Sequence, residues 1–228
     1  LGLNVFMTVA ILRVCVQDAG LHLLGGLFVL FSPVFFPLHT GVASEPVFMT
    51  LLLLATLGLV QYLCSGGLRW LLLAACGAGA SYLARYAGTS LIAAGALLVL
   101  FRREERWRAR VCRSILFLAV ACVPVALWMA RNAIVAGTST SRVLEYQPIQ
   151  ASLFGLIADL VSYWFLPDRV PPGLRAAMVL VGALFLLIAG IWAQRRSPEA
   201  VVVRERPCGW ALAGVWGMTS VVYLGMLL

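Results

Sequence analysis

Long apolar runs separated by short polar segments dominate this chain. Leu1–Val16 is the first, and Arg13, Gln17 and Asp18 mark the loop at its end. Leu21–Leu38 runs back, with Pro33 and Pro37 near its far end, where neighbouring helices can re-satisfy the carbonyls that a proline frees. A polar segment from His39 then leads to Ser44-Glu45-Pro46 and the run Val47–Cys64. Proline suits the first turn of a helix, and Ser44 and Glu45 stand where a cap and a dipole-matching anion belong. After the turn Ser65-Gly66-Gly67-Leu68-Arg69 come two shorter runs, Trp70–Ala84 and Ala87–Phe101, broken at Arg85-Tyr86. Arg102–Arg113 is the densest charge run, and Ser114–Ala130 is the next apolar one, ending at Arg131-Asn132. Further on, Ala176–Ala193 and Trp210–Leu228 flank the charged loop Gln194–Gly209.

Runs of about 15–20 apolar residues have the length of helices that cross a bilayer, and their continuity excludes the alternation of a β-barrel. The pattern predicts an all-α, polytopic transmembrane helical bundle of about eight spans, one domain covering 1–228. The stretch 133–175 is the longest segment outside clear spans. Within it Ile149, Leu153, Leu156, Leu160 and Trp164 share one helical face, and Ser152, Asp159 and Ser162 share the other. That predicts an interfacial helix over Ile149–Phe165, lying in the membrane surface, with a packed partial span as the competing arrangement.

Composition agrees with the pattern. Hydrophobic residues make up 62% of the 228, against roughly 45–50% in soluble domains, and mean hydropathy is +0.98. The net charge of +8 is the balance of 17 basic residues, all arginine and mostly in loops, against 9 acidic ones, so a nucleic-acid partner is a poor explanation. Counted on alternate loops, Arg85, Arg131, Arg142, Arg169 and Arg175 fall on one side and the remaining arginines on the other. The positive-inside rule places the richer set in the cytoplasm. Glu45, Arg85, Arg131 and the loop 133–175 then face the extracytoplasmic side of a multi-pass plasma-membrane protein. The count depends on a true turn at Arg85, because a single helix over Trp70–Phe101 would invert every later loop.

The six cysteines, with no CxxC among them, read as small apolar packing residues rather than disulfides or metal ligands. No Walker A loop, HExxH, GxSxG or GxGxxG occurs. Chemistry-bearing side chains gather instead at the ends of apolar runs on one side. Glu45 could bind a metal, accept a proton or hold sugar hydroxyls; the blander reading is a helix-capping carboxylate. Arg85 lies between two short runs, where an ionisable group is costly, and guanidinium matches phosphate oxygens in pairs. Snorkelling to the interface is the alternative for Arg85, and more so for Arg131-Asn132. His39 could serve as a ligand or base, or as a solvated loop residue. Tyr86, Tyr146, Tyr163 and Trp164 could stack on sugar rings or form an aromatic belt. Asp159 and Asp168 share the outer side, Asp159 on the polar face of the interfacial helix.

Three stretches, FSPVFFPLHTGVASEPVFMTLLLLATLGL, RWLLLAACGAGASYLARYAGTSLI and ALWMARNAIVAGT, together resemble the polytopic GT-C-type glycosyltransferases. The likeness is to the lipid-linked-sugar branch near protein O-mannosyltransferases and aminoarabinose transferases, and it covers roughly Leu1–Gly137. It implies a polyprenyl-phosphate sugar donor, an acceptor approached from the outer face, and often a divalent metal, for which His39 and Glu45 are weak candidate ligands. It places Glu45 in the outer cavity, Arg85 and Tyr86 at the donor phosphate, and Arg131 and Asn132 at the cavity's far side. The family's catalytic carboxylate follows its first span, so the resemblance implies an N-terminally truncated chain whose catalytic acid lies upstream of Leu1. A membrane transporter or lipid flippase is the competing class, since broken short spans build midplane sites in transporters. A non-catalytic membrane subunit is the third.

Overall fold

A computed structural model describes residues 1–32, 35–41, 44–102 and 105–138, with single positions and short stretches between 171 and 219. The described residues are all-α. Their helices are α1 (Gly2–Cys15), α2 (Ala19–Phe31), α3 (Phe35–Thr40), α4 (Glu45–Ser65), α5 (Leu68–Ala84), α6 (Gly88–Leu100) and α7 (Trp107–Ala136). Residues 211 and 214–219 are also helical, with Ala211 and Val215 buried. The expected interfacial helix at 149–165 lies outside the described residues, as does most of the loop 133–175, although Ala133–Ala136 continue α7.

α4 and α7, of 21 and 30 residues, are long and apolar enough to cross a membrane. α1, α2, α5 and α6 are apolar but shorter, at 13 to 17 residues. The run Leu21–Leu38 is not one helix. Ser32 leaves the helical region with ψ 125, as a residue preceding a proline does, and the chain resumes as the six-residue α3. Elsewhere the local signals act as the spacing suggests. Asp18 caps α2, accepting from the Gly20 and Leu21 N–H groups. Glu45 and Pro46 occupy the first turn of α4, whereas Ser44 holds the cap position without a side-chain bond. Gly66 closes α4 in the left-handed conformation (φ 73), its N–H donating to the Tyr62 carbonyl.

α5 is the centre of the bundle, packed by α4, α6 and α7. Its sequence LLLAACGAGA lets backbones come close. A Cβ on Gly77 would stand 2.9 Å from the Ala55 nitrogen, and one on Gly58 would stand 2.7 Å from the Ala74 nitrogen. The α4–α5 crossing is therefore reciprocal, each helix lending the other a glycine at the point of contact. Around it Leu59, Leu63, Leu71, Leu91 and Phe117 are fully buried. Cys64 corrects one expectation: it is disulfide-bonded, while Cys15, Cys76, Cys112 and Cys122 are free. Cysteine spacing alone does not reveal a pairing.

Candidate functional site

Because α5 runs antiparallel to α4, the end of α5 returns to the start of α4. Arg85, the residue that ends α5 in extended conformation, there meets Glu45 in the first turn of α4, with Nη1 to Oε1 at 2.6 Å. Forty residues of sequence separation thus close into one ion pair. It remains open to its surroundings, the Arg85 side chain 45% and the Glu45 side chain 27% exposed. One guanidinium N–H is used on Glu45, and a guanidinium carries five.

Aromatic rings stand beside the pair. Tyr86 makes an edge contact with Tyr82 of α5, ring centres 5.4 Å apart, and another with Trp128 of α7 at 6.2 Å. Trp128 was not singled out in the sequence, although its place one turn before Arg131 was a usable signal. Through it the end of α7 is brought to the α5–α6 turn. Arg131 is exposed and donates to its neighbour Asn132 at 3.5 Å. Glu45, Arg85, Tyr86 and Trp128 therefore form the core of the candidate site, with Arg131 and Asn132 one helical turn beyond Trp128 along α7.

His39 belongs to a different arrangement on the same end. Its Nδ1 lies 2.7 Å from the Phe35 carbonyl, which can only accept, so Nδ1 carries the proton. Nε2 then accepts from the Asn4 amide at 2.9 Å. Asn4 is 1% exposed, and its carbonyl oxygen accepts from the Thr50 hydroxyl at 2.6 Å. This chain of bonds ties α1, α3 and α4 together. It engages both imidazole nitrogens and gives His39 no contact with Glu45. Among the described residues no group of three His, Cys, Asp or Glu side chains could hold a metal ion, and His39 and Glu45 are not brought together as a ligand pair.

The opposite end carries a second charged cluster, one that the loop reading of Arg102–Arg113 did not anticipate. Arg102 and Arg113 both donate to the Glu105 carboxylate. Tyr62 of α4 bonds the same carboxylate at 3.4 Å, and both guanidinium groups lie over its ring, 5.1 and 5.9 Å from the centre. Arg113 also donates to the Gly66 carbonyl at 3.4 Å. The Arg102 and Glu105 side chains are only 7% and 13% exposed. This knot joins the α6–α7 connection to the end of α4, with its carboxylate nearly sealed and Arg113 at its rim, 35% exposed.

No family model, curated protein or solved structure matches the chain.

Proposed function

We propose that this chain is a multi-pass membrane bundle of about eight spans, part of a GT-C-type glycosyltransferase that moves a sugar from a polyprenyl-phosphate donor to an acceptor on the extracytoplasmic side. The observation that carries the proposal is the Glu45–Arg85 pair, half open, beside the Tyr86 and Trp128 rings at the Arg-poor end of the bundle.

The membrane part has independent support in what the helices leave uncovered. α4 and α7 are apolar, yet only 39% and 17% of their most hydrophobic windows are buried, unlike a core helix of a soluble protein. Phe28, Phe31, Ile115, Val123 and Leu127 are each half exposed or more, large apolar side chains of the kind that suit hydrocarbon better than water. At the Arg-rich end Arg69 lies over Trp70 and Arg110 over Trp107, at 5.2 and 5.3 Å, the pairing expected of residues anchored at an interface. Positive charge on that side supports an orientation with the Glu45–Arg85 end outside the cytoplasm.

In the reaction the bond between the sugar's anomeric carbon and the donor phosphate oxygen breaks. A bond to the acceptor oxygen forms, and the acceptor proton passes to a base. Arg85 would receive the phosphate through the donors it does not spend on Glu45, stabilising the charge that builds on the leaving group. Glu45 holds the guanidinium at the helix end. Tyr86 and Trp128 offer ring faces and edges to the sugar. No base is assigned among the described residues.

The test is transfer from a radiolabelled polyprenyl-phosphate sugar in membranes carrying the complete protein. Arg85→Ala is expected to reduce transfer at least a hundredfold, the scale of losing one preorganised charge donor, with insertion unchanged. Wild-type transfer by a correctly inserted Arg85→Ala protein would overturn the assignment.

A further inference from the structure

A groove of about 260 Å³ lies between α1 and α2, away from the ion pair. Val5 and Val9 of α1 face Leu23, Leu27 and Leu30 of α2 across it, so its walls are apolar along most of their length. At the Arg-rich end it is bordered by Arg13 and His22. The polar groups of the connecting loop have other work. His22 donates from Nε2 to the Val16 carbonyl at 2.8 Å, and Asp18 is spent on the Gly20 and Leu21 N–H groups at 2.7 and 3.2 Å. Arg13 is exposed, and among the described residues it meets no carboxylate.

An apolar slot that ends in a guanidinium is complementary to an amphiphile with an anionic head. We propose that this groove binds an anionic phospholipid, one acyl chain between α1 and α2 and the phosphate on Arg13. Guanidinium matches two phosphate oxygens at once, and it holds its charge at any physiological pH. The outer face of α2 continues the apolar surface, with Leu23, Leu24 and Phe28 each at least half exposed or more, so the second chain has hydrocarbon to lie on. Arg13 stands at the end of the bundle assigned to the cytoplasmic leaflet, where basic sites between spanning helices meet phospholipid headgroups. The inference rests on the membrane placement proposed above and not on the transfer chemistry. The donor phosphate belongs at the other end of the helices.

Purified full chain in neutral detergent, offered equal amounts of phosphatidylglycerol and phosphatidylcholine, is examined by native mass spectrometry. The wild type is expected to retain one phosphatidylglycerol in preference to phosphatidylcholine. Arg13→Gln should lower that preference about fivefold, the contribution of one basic side chain at an anionic surface. Arg69→Gln, at the same end but stacked on Trp70 outside the groove, should leave it unchanged. Ala19→Phe, at an exposed position bordering the groove, should reduce retention of both lipids. Glycerol phosphate, which has the head without the chains, should fail to displace the bound lipid. Equal retention of the two lipids by the wild type, an unchanged preference in Arg13→Gln, displacement by glycerol phosphate, or a second copy of the chain in place of lipid would each overturn the proposal. Loss of transfer activity has no bearing on any of these readings, so a failed transferase assignment and a failed lipid site remain distinguishable.

Discussion

The two ends of the bundle each hold an acid bound to arginine, and they are built on opposite terms. At the Arg-rich end, Glu105 is shared by Arg102, Arg113 and Tyr62 and is nearly sealed. At the other, Glu45 and Arg85 make a single contact with half of the arginine exposed. A sealed acid cannot give up its partners without leaving charge buried, which is costly. An exposed pair contributes little to stability and can exchange one partner for a ligand at small cost. The same chemistry thus serves as a fastening in one place and as an available binding surface in the other.

The strongest way to break this comparison is at Glu105. Glu105→Ala removes the carboxylate that Arg102, Arg113 and Tyr62 share, and should cost about 3–5 kcal/mol, the usual penalty for stripping one member from a buried pair. Unfolding in mixed micelles, titrated with dodecyl sulfate, reads it directly. A loss below about 1 kcal/mol, the level of an exposed pair, would make the two ends equivalent. Next in size is the crossing that sets the spacing between them. Gly77→Val forces a side chain against the Ala55 backbone, where a single Cβ already stands at 2.9 Å. The expected cost is about 1–3 kcal/mol, as for overpacking generally. Because α4 and α5 carry Glu45 and Arg85, the pair should also weaken. A crosslink between cysteines placed at Glu45 and Arg85 would then form more slowly in the Gly77→Val background than without it.

Among the described residues the runs that became α1, α4, α5 and α6, the break at Arg85-Tyr86 and the return of Glu45 and Arg85 to one end were legible in the chain. They follow from where apolar runs stop, and alternate runs must return to the same end. α7, by contrast, starts at Trp107, inside the stretch that composition reads as a charged loop, and not at Ser114. The break inside Leu21–Leu38 was misjudged because hydropathy continues through Pro33 while backbone geometry does not. The Glu105 knot was hidden for a different reason. Arg102 and Arg113 read as loop charges by composition, and only the fold brings Tyr62, some forty residues earlier, beneath them. The bond between His39 and Asn4 was equally out of reach, since no local pattern links the start of α1 to the short helix α3 thirty-five residues on. Ring contacts such as Tyr86 with Trp128 depend on the α5–α7 packing and not on spacing.

The smallest expected effect sharpens the comparison most. Glu45→Gln keeps the shape of the side chain and removes its charge, so the fold should lose no more than about 0–1 kcal/mol. Arg85 would then stand at the same helix end without a competing anion. A phosphate arriving at Arg85 in the wild type has to share the guanidinium with Glu45, and in the variant it does not. Binding of a polyprenyl phosphate, followed by quenching of Trp128 in a protein whose other tryptophans are replaced, should therefore hold or tighten in Glu45→Gln. It should fall in Arg85→Ala. If Glu45→Gln instead unfolded as readily as Glu105→Ala, the Glu45–Arg85 pair would be a fastening like the Glu105 cluster, and the contrast between the two ends would be lost.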